Sequence, residues 1–502
     1  MINKVFTLSD DLSHNFPVTI ETNISDKGLP VFEIFGLVSK SIEESKKRVF
    51  TAFENSNIEF PLKNIKVNIA PANISKSGTH YDLPIALSII GDLAHLDYSD
   101  SVFIGELSFD GSVKRVERVG FLVLSAIEKG YKKVYIPTSC ADEIAFSPQI
   151  EVRLVNSLQE LVSGKVNSLQ MGRSLKTADV GNSYIYSNIR GHYYAKKVLG
   201  YSLAGHHHLL LEGPPGVGKS MLAKSMSELA PALLEEEYLE VTKIYSYSGL
   251  DSSKSFDFKR PFRNPHSSAS YSSIFGSYSG KIIPGEVSLA NNGILFLDEF
   301  PEFNRLVIEG LRSPMEDRVV TISRASKKFT FNSDFLLVAT KNPCKCGFFN
   351  HSKVSCRCSS GDVLKYSHKI SGPVIDRIDI HLKIDENNEL NTNEDNSYSN
   401  LEYYNFKERI ANLHLHRKKL LNSDKSSKNN YFEECNIITQ KHIPIKVSEY
   451  LTNELNKYSL SSRSYFKILN LAFTISIFNN REIISLQDLI ESISLNKVKK
   501  FV

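Results

Sequence analysis

The chain has 502 residues, 41% apolar and 23% charged, and carries a net charge of +4 from 60 basic and 56 acidic groups. That make-up fits a globular protein of two or three domains and excludes a disordered or fibrous chain. The slight basic excess neither demands nor excludes a nucleic-acid partner, so only local patches can argue for one.

The opening MINKVFTLSDDLSHNF lacks the apolar core of a secretion signal, and no apolar run reaches bilayer length. No membrane role and a cytoplasmic, reducing location are expected. The first block spans residues 1–163. VTIETNI and IKVNIA predict strands, and SKSIEESKKRVFTAFENS predicts a helix with Ile42, Val49 and Phe53 on one side. DLPIALSIIGDLAHL predicts a buried helix, SVFIGELSF a strand, GFLVLSAIEKG a helix and KKVYIP a strand. A polar stretch at 164–187 is expected to be a linker.

The second block, 188–384, alternates strands with helices. HHLLLEG, GILFLDE and SDFLLVAT predict strands and KSMLAKSMSELAPALL a helix, an alternation that points to a parallel sheet and an α/β class. A polar, Asn-rich loop at 385–400 follows, and 401–502 is expected to be a helical domain built on NFKERIANLHLHRKKLL, SSRSYFKILNLAFTISIFN and SLQDLIESISL.

Two motifs in the second block carry chemistry. GPPGVGKS, comprising Gly213, Pro214, Pro215, Gly216, Val217, Gly218, Lys219 and Ser220, fits the phosphate-loop pattern between a strand and a helix. The glycines let backbone N–H groups curl around phosphate oxygens, and the helix N-terminus adds partial positive charge. Lys219 is placed to reach the β- and γ-phosphates, and Ser220 to hold Mg²⁺. ILFLDE ends in two carboxylates: Asp298 is expected to serve the same Mg²⁺, and Glu299 to polarise the attacking water. Together they predict hydrolysis of ATP.

Cys344, Cys346, Cys356 and Cys358 gather four of the chain's six cysteines into one loop, 344–358. In a reducing location such a cluster points to metal before disulfides, and four thiolates suit tetrahedral Zn²⁺. The spacing C-x-C-x9-C-x-C is tighter than usual; His351 is an alternative ligand, and four unliganded thiols are the other reading. Cys140 and Cys435 stand apart.

GPPGVGKS, RPFRNPHSSAS, PGEVSLANNGILFLDEFPEF, ATKNPCKCG and SGPVIDRIDI resemble the magnesium-chelatase I subunit clade of AAA+ ATPases, and within it the ComM/YifB-like competence family. The likeness covers nearly the whole chain. It implies that Asn342 is the sensor 1 residue on a strand between the phosphate-loop and Asp298 strands. It further implies that Arg377 is an arginine finger for a neighbouring subunit's ATP and that Arg463 is sensor 2 on a helical lid. It also implies a homo-hexameric ring acting on single-stranded or branched DNA, in the manner of a branch-migration helicase of natural transformation. A magnesium-chelatase-like or protein-remodelling ATPase is the alternative.

Residues 1–163 resemble a Lon-protease/S5-like α+β domain. His80 stands where the nucleophilic serine of that fold would be and Gly120 where its lysine would be, so no peptidase activity is expected. Ser75, Lys76 and Ser77 lie near the first of these positions. Three basic patches are candidates for DNA: RVVTISRASKKFTF as a hairpin with Arg324, Lys327 and Lys328 at its turn; RPFRNPHSSAS with Arg260, Arg263 and His266; and HLHRKKLL. Two departures from the family pattern, GSYSG at 276–280 and Lys341 before Asn342, bear on loop detail and not on ATP chemistry.

Overall fold

The computed structural model describes residues 2–10, 16–72, 76–91, 93, 96, 98–144, 150–169, 185–250, 258–279, 281–324, 327–385, 400–421, 437–439, 441–458 and 462–496. Cys435, Ser75 and most of the expected linker and Asn-rich loop lie outside these residues. The chain divides into two compact units. One comprises Met1–Thr177, Glu235–Asp257 and Ser323–Phe329; the other comprises Ala178–Leu234, Phe258–Ile322 and Thr330–Val502.

The first unit is built on an eight-stranded mixed sheet. In spatial order its strands are Asn167–Ser168, Glu151–Val155, Lys133–Pro137, Ser101–Phe103, Ile2–Leu8, Pro17–Ser25, Asn64–Ala70 and Val31–Phe35. Alternation sets the inward face: in Asn64–Ala70 only Ile65, Val67 and Ile69 are buried. Helix Lys40–Asn55 adds Ile42, Val49, Ala52 and Phe53 to that core, at the spacing expected of one helical face. The expected continuous strand SVFIGELSF is broken. Ser101–Phe103 joins the large sheet, while Glu106–Leu107 turns away to pair with Val113–Lys114.

Helix Glu235–Tyr247 falls in the second block by sequence but belongs to this first unit. It packs on helix Val119–Glu128: the Phe121 N–H donates to Ser246 Oγ at 2.8 Å, and Lys243 pairs with Glu128 at 2.6 Å. A side chain at Gly120 would meet Ser246 Oγ at 2.8 Å, so the bare backbone there lets the two helices close.

The second unit holds a five-stranded, wholly parallel sheet in the order Phe262–Arg263, Ile294–Leu297, Leu336–Lys341, Leu209–Glu212, Ile380–Lys383. Its central strands are apolar until their C-terminal ends, at Glu212 and Thr340–Lys341, because both faces are covered. Leu209, Leu211, Ile294, Phe296 and Val338 enter one core, while Leu210, Leu295, Leu297, Leu337 and Ala339 enter the other. Each such leucine contributes roughly 2 kcal/mol of burial. The helices beyond residue 400 belong to the same unit, with Tyr403, Ile410, Leu471 and Phe478 packed into the first of these cores. No helix among the described residues is long and apolar enough to cross a membrane.

Candidate functional site

Three parallel strands end side by side at Glu212, Leu297 and Lys341, and the chemistry-bearing residues follow directly from those ends. After Glu212 the chain turns through GPPGVG. Gly216 and Gly218 take φ of +85° and +87°, which other L residues rarely adopt. A Cβ on Gly213 would stand 2.3 Å from the Ile384 carbonyl oxygen. Helix Lys219–Leu229 then begins, so its free N–H groups open onto the turn.

Lys219 Nζ donates to the carbonyls of Gly213 at 2.8 Å and Pro214 at 2.7 Å and to Asn342 Oδ1 at 3.1 Å. Burial lowers the Lys219 ammonium from its ordinary range, against the pull of Asp298, Glu299 and Glu212. The Ser220 hydroxyl donates to Asp298 Oδ1 at 2.9 Å. Sequence reasoning missed Thr340, whose hydroxyl donates to the same Asp298 oxygen at 2.6 Å and accepts from the Glu299 N–H at 2.9 Å. The only signal was its place two residues before Asn342. Glu299 has φ of +51°, a left-handed conformation that turns the chain away from the strand. The strand bearing Asn342 lies between the other two, the order that the family resemblance implies. Lys341 forms an ion pair with Glu212 at 2.9 Å.

These groups fit a nucleoside triphosphate with Mg²⁺. A glycine turn, crowded at Gly213 and left-handed at Gly216 and Gly218, is followed by a lysine held at its mouth, and a hydroxyl and a carboxylate share one hydrogen bond where a divalent ion would sit between them.

Arg377 and Arg463 come together elsewhere in the unit. Both contact the carboxylate of Glu316: Arg377 Nη2 meets Oε2, and Arg463 Nη2 meets Oε1 at 3.2 Å. Glu316 was not singled out from the sequence, where it is one acid among many in SPMEDR.

The cysteine loop closes into a cluster. Cys344, Cys346, Cys356 and Cys358 bring their sulfurs within 4.8 Å of one another. The contacts Cys344–Cys346, Cys346–Cys356 and Cys344–Cys356 measure 3.3, 3.5 and 3.7 Å. These are far longer than a disulfide bond and near the ~3.8 Å edge of a tetrahedron of thiolates around Zn²⁺. The backbone N–H groups of Phe348 and Arg357 bring the Cys346 thiol down to about 6, while at Cys356 and Cys358 the backbone hydrogen bonds are outweighed by burial and the neighbouring thiols, which raise both, so the cluster favours one thiolate before the others. The alternative ligand His351 is turned elsewhere, since its Nδ1 accepts from the N–H groups of Lys353 at 3.1 Å and Val354 at 3.0 Å. Phe349 and Tyr366, from the loop and the helix after it, line a cavity with Glu212 and Asn342.

In two of the three basic patches the arginines are bonded within the fold. Arg260 donates to the carbonyls of Pro231 at 2.9 Å and Asn292 at 2.7 Å. Arg263 forms a two-pronged pair with Glu286 at 2.6 and 2.8 Å. In HLHRKKLL, Arg417 is buried and bonds Asn470, while His416 and Lys419 stay exposed. The hairpin pairs Val319–Arg324 with Lys327–Asn332 and exposes Lys328.

In the first unit, His80 is buried, its Nε2 against the Leu8 carbonyl at 3.0 Å and its ring 4.0 Å from that of Tyr81. Burial lowers its pKa, so it is a neutral core residue. Lys76 is buried as well and donates to the carbonyls of Ile69 and Pro71.

The parallel sheet, glycine turn and paired Ser220 and Asp298 define a phosphate-loop protein of the AAA+ class. Residues 186–392 match the model of magnesium chelatase, subunit ChlI, and residues 20–140 match that of subunit ChlI of Mg-chelatase. The chain is 32% identical to competence protein ComM of Haemophilus influenzae over 472 residues, 91% of this chain and 90% of that one. It is 36% identical to YifB of Escherichia coli over 377 residues, 73% of each, and 34% identical to Rv2897c of Mycobacterium tuberculosis over 373 residues, 73% of this chain and 74% of the relative. The chain therefore belongs to the ComM/YifB-like family of magnesium-chelatase-type AAA+ proteins, and membership implies ATP and Mg²⁺.

Proposed function

We propose that this protein hydrolyses ATP as one subunit of a hexameric ring that drives DNA, in the manner of a branch-migration motor for incoming single strands in natural transformation. The ATPase reading is carried by one observation: Lys219 bonded to Asn342, and Ser220 and Thr340 both bonded to Asp298, lie together at the ends of three parallel strands.

In this reading the N–H groups of the Gly213–Gly218 turn and Lys219 bind the phosphates, and Ser220 and Asp298 hold Mg²⁺. The ion supplies charge neutralisation at the phosphate oxygens. Glu299, with its N–H fixed by Thr340, orients and deprotonates the attacking water, and Asn342 steadies that water beside the γ-phosphate. Arg377 and Arg463 stabilise charge on the triphosphate bound by the neighbouring subunit. The four cysteines hold one Zn²⁺, which stiffens the loop after Asn342. The first unit acts as a non-proteolytic collar, a role supported by the buried His80 and the carbonyl-bound Lys76.

Support for DNA as partner comes from the hairpin with Arg324, Lys327 and Lys328 and from the competence relative. ATP turnover measured with and without single-stranded or forked DNA, across a salt series, tests the reading. Stimulation that fades steeply with salt supports a DNA motor, whereas turnover indifferent to every DNA favours a protein-remodelling ring. Parental turnover by K219A would remove the ATPase reading, and ATP-dependent cleavage of casein would remove the non-proteolytic one.

A further inference from the structure

Three elements converge beneath the two arginines. Helix Ser462–Phe478 carries Arg463 and, one turn later, Lys467. The segment after helix Gly372–Ile375 carries Arg377 and Asp379, and helix Arg312–Asp317 carries Glu316. Lys467, its side chain 6% exposed, pairs with Asp379 at 3.4 Å and donates to the Ile378 carbonyl at 3.0 Å. Asp379 in turn accepts from the His208 N–H at 2.8 Å, immediately before the strand that leads into the phosphate loop. This buried pair fixes the register of the helix on the arginine segment. Next to it, the two oxygens of Glu316 take one guanidinium each.

Two guanidiniums so close repel, and each is charged at every relevant pH. Arg377 is otherwise tethered only by Nη1 to the Pro373 carbonyl at 2.8 Å, while its Nε is buried without a hydrogen-bond partner among the described residues. Burial pushes the Glu316 carboxyl up, but the two arginines outweigh it and hold the group below the ordinary carboxylate range. The anion is therefore present wherever the enzyme works. The hydrolysis proposed above gives Glu316 no contact with the triphosphate.

We infer that Glu316 is the positioning residue for both arginines: one carboxylate, with one oxygen per guanidinium, holds Arg377 and Arg463 side by side as a double cation addressed to a triphosphate. The inference rests on the proposed hydrolysis with Arg377 acting across the subunit boundary. The side chain of Glu316 is 46% exposed, so its ion pairs add little to stability and its effect falls on arginine geometry.

The test compares E316Q, R377A, R377A/R463A and the triple variant that adds E316Q to that pair for kcat and KM, with oligomer mass and melting temperature as controls. E316Q is expected to lose about tenfold or more in kcat, with KM for ATP within about twofold and mass and melting unchanged. The triple variant is expected to be no slower than R377A/R463A, because Glu316 acts only through the two arginines. In mixtures, K219A subunits supply intact arginines, and E316Q subunits are expected to regain turnover. An inactive R377A beside a parental E316Q overturns the role of Glu316 alone. A parental R377A removes the hydrolysis reading and this inference with it. Multiplying losses in the triple variant, or loss of assembly in E316Q, would also overturn it.

Discussion

Gly347 lies directly against Pro215: a Cβ on Gly347 would stand 2.5 Å from the proline Cδ. The cysteine loop thus braces the phosphate loop at van der Waals range. Gly347 also takes φ of +85°, and its N–H closes a turn onto the Cys344 carbonyl at 3.0 Å.

Replacing Gly347 by Ala should therefore act on the nucleotide site as well as on the loop. The left-handed backbone costs an alanine about 1 kcal/mol or more, and the clash adds to it. The expected outcome is a lower melting temperature and several-fold weaker binding of a fluorescent ATP analogue. Unchanged nucleotide affinity would show that the two loops are independent.

The cysteine cluster predicts one zinc per chain in protein purified without chelator. Cys346→Ser should lose most of that zinc and lower the melting temperature by roughly 5 °C or more, as should chelation of the parent. Elemental analysis and a melting scan check both, and a zinc-free parent with normal stability would rule the site out.

Glu299→Gln should bind ATP normally but hydrolyse it about a hundredfold more slowly, since the amide cannot accept the water's proton. Thr340→Val should cost about tenfold, because it frees the Glu299 N–H and removes one donor to Asp298. Single-turnover rates with saturating nucleotide separate these effects from binding.

Acid should weaken the second unit through His207. Its ring is buried, its Nε2 lies 2.7 Å from Thr474 Oγ1, and burial brings its pKa down to about 3. The folded state thus holds the neutral ring, while the unfolded chain takes up a proton near pH 6.5. The penalty is absent above pH 6.5 and grows as pH falls toward about 3. Between pH 7 and 5 it amounts to about 2 kcal/mol. Urea midpoints at the two pH values check this, and His207→Gln, which keeps an N–H donor for Thr474, should remove its share of the dependence, the rest coming from His208 and His381, which burial brings down to about 4 and about 3.

The features fixed by the sequence alone are local ones. The phosphate loop depends on eight consecutive residues, the four cysteines fall within one loop, and the central strands of the second unit announce themselves as unbroken apolar runs because both of their faces are covered. The edges of the first unit were less legible, since short strands such as Val31–Phe35 are half-exposed and lack a clean alternation.

Only the tertiary structure decided where the charges go. Arg260, Arg263 and Arg417 look like open basic patches in sequence, yet each is bonded within the fold. Glu316 acquires its meaning from Arg377, 61 residues away, and helix Glu235–Tyr247 leaves the sheet unit that encloses it in sequence to pack on Val119–Glu128. Residue type and local spacing set what a side chain is able to do, but a charge or hydroxyl gains a definite role only from the partner it meets. That partner is supplied by long-range packing, which leaves no periodic trace in the chain.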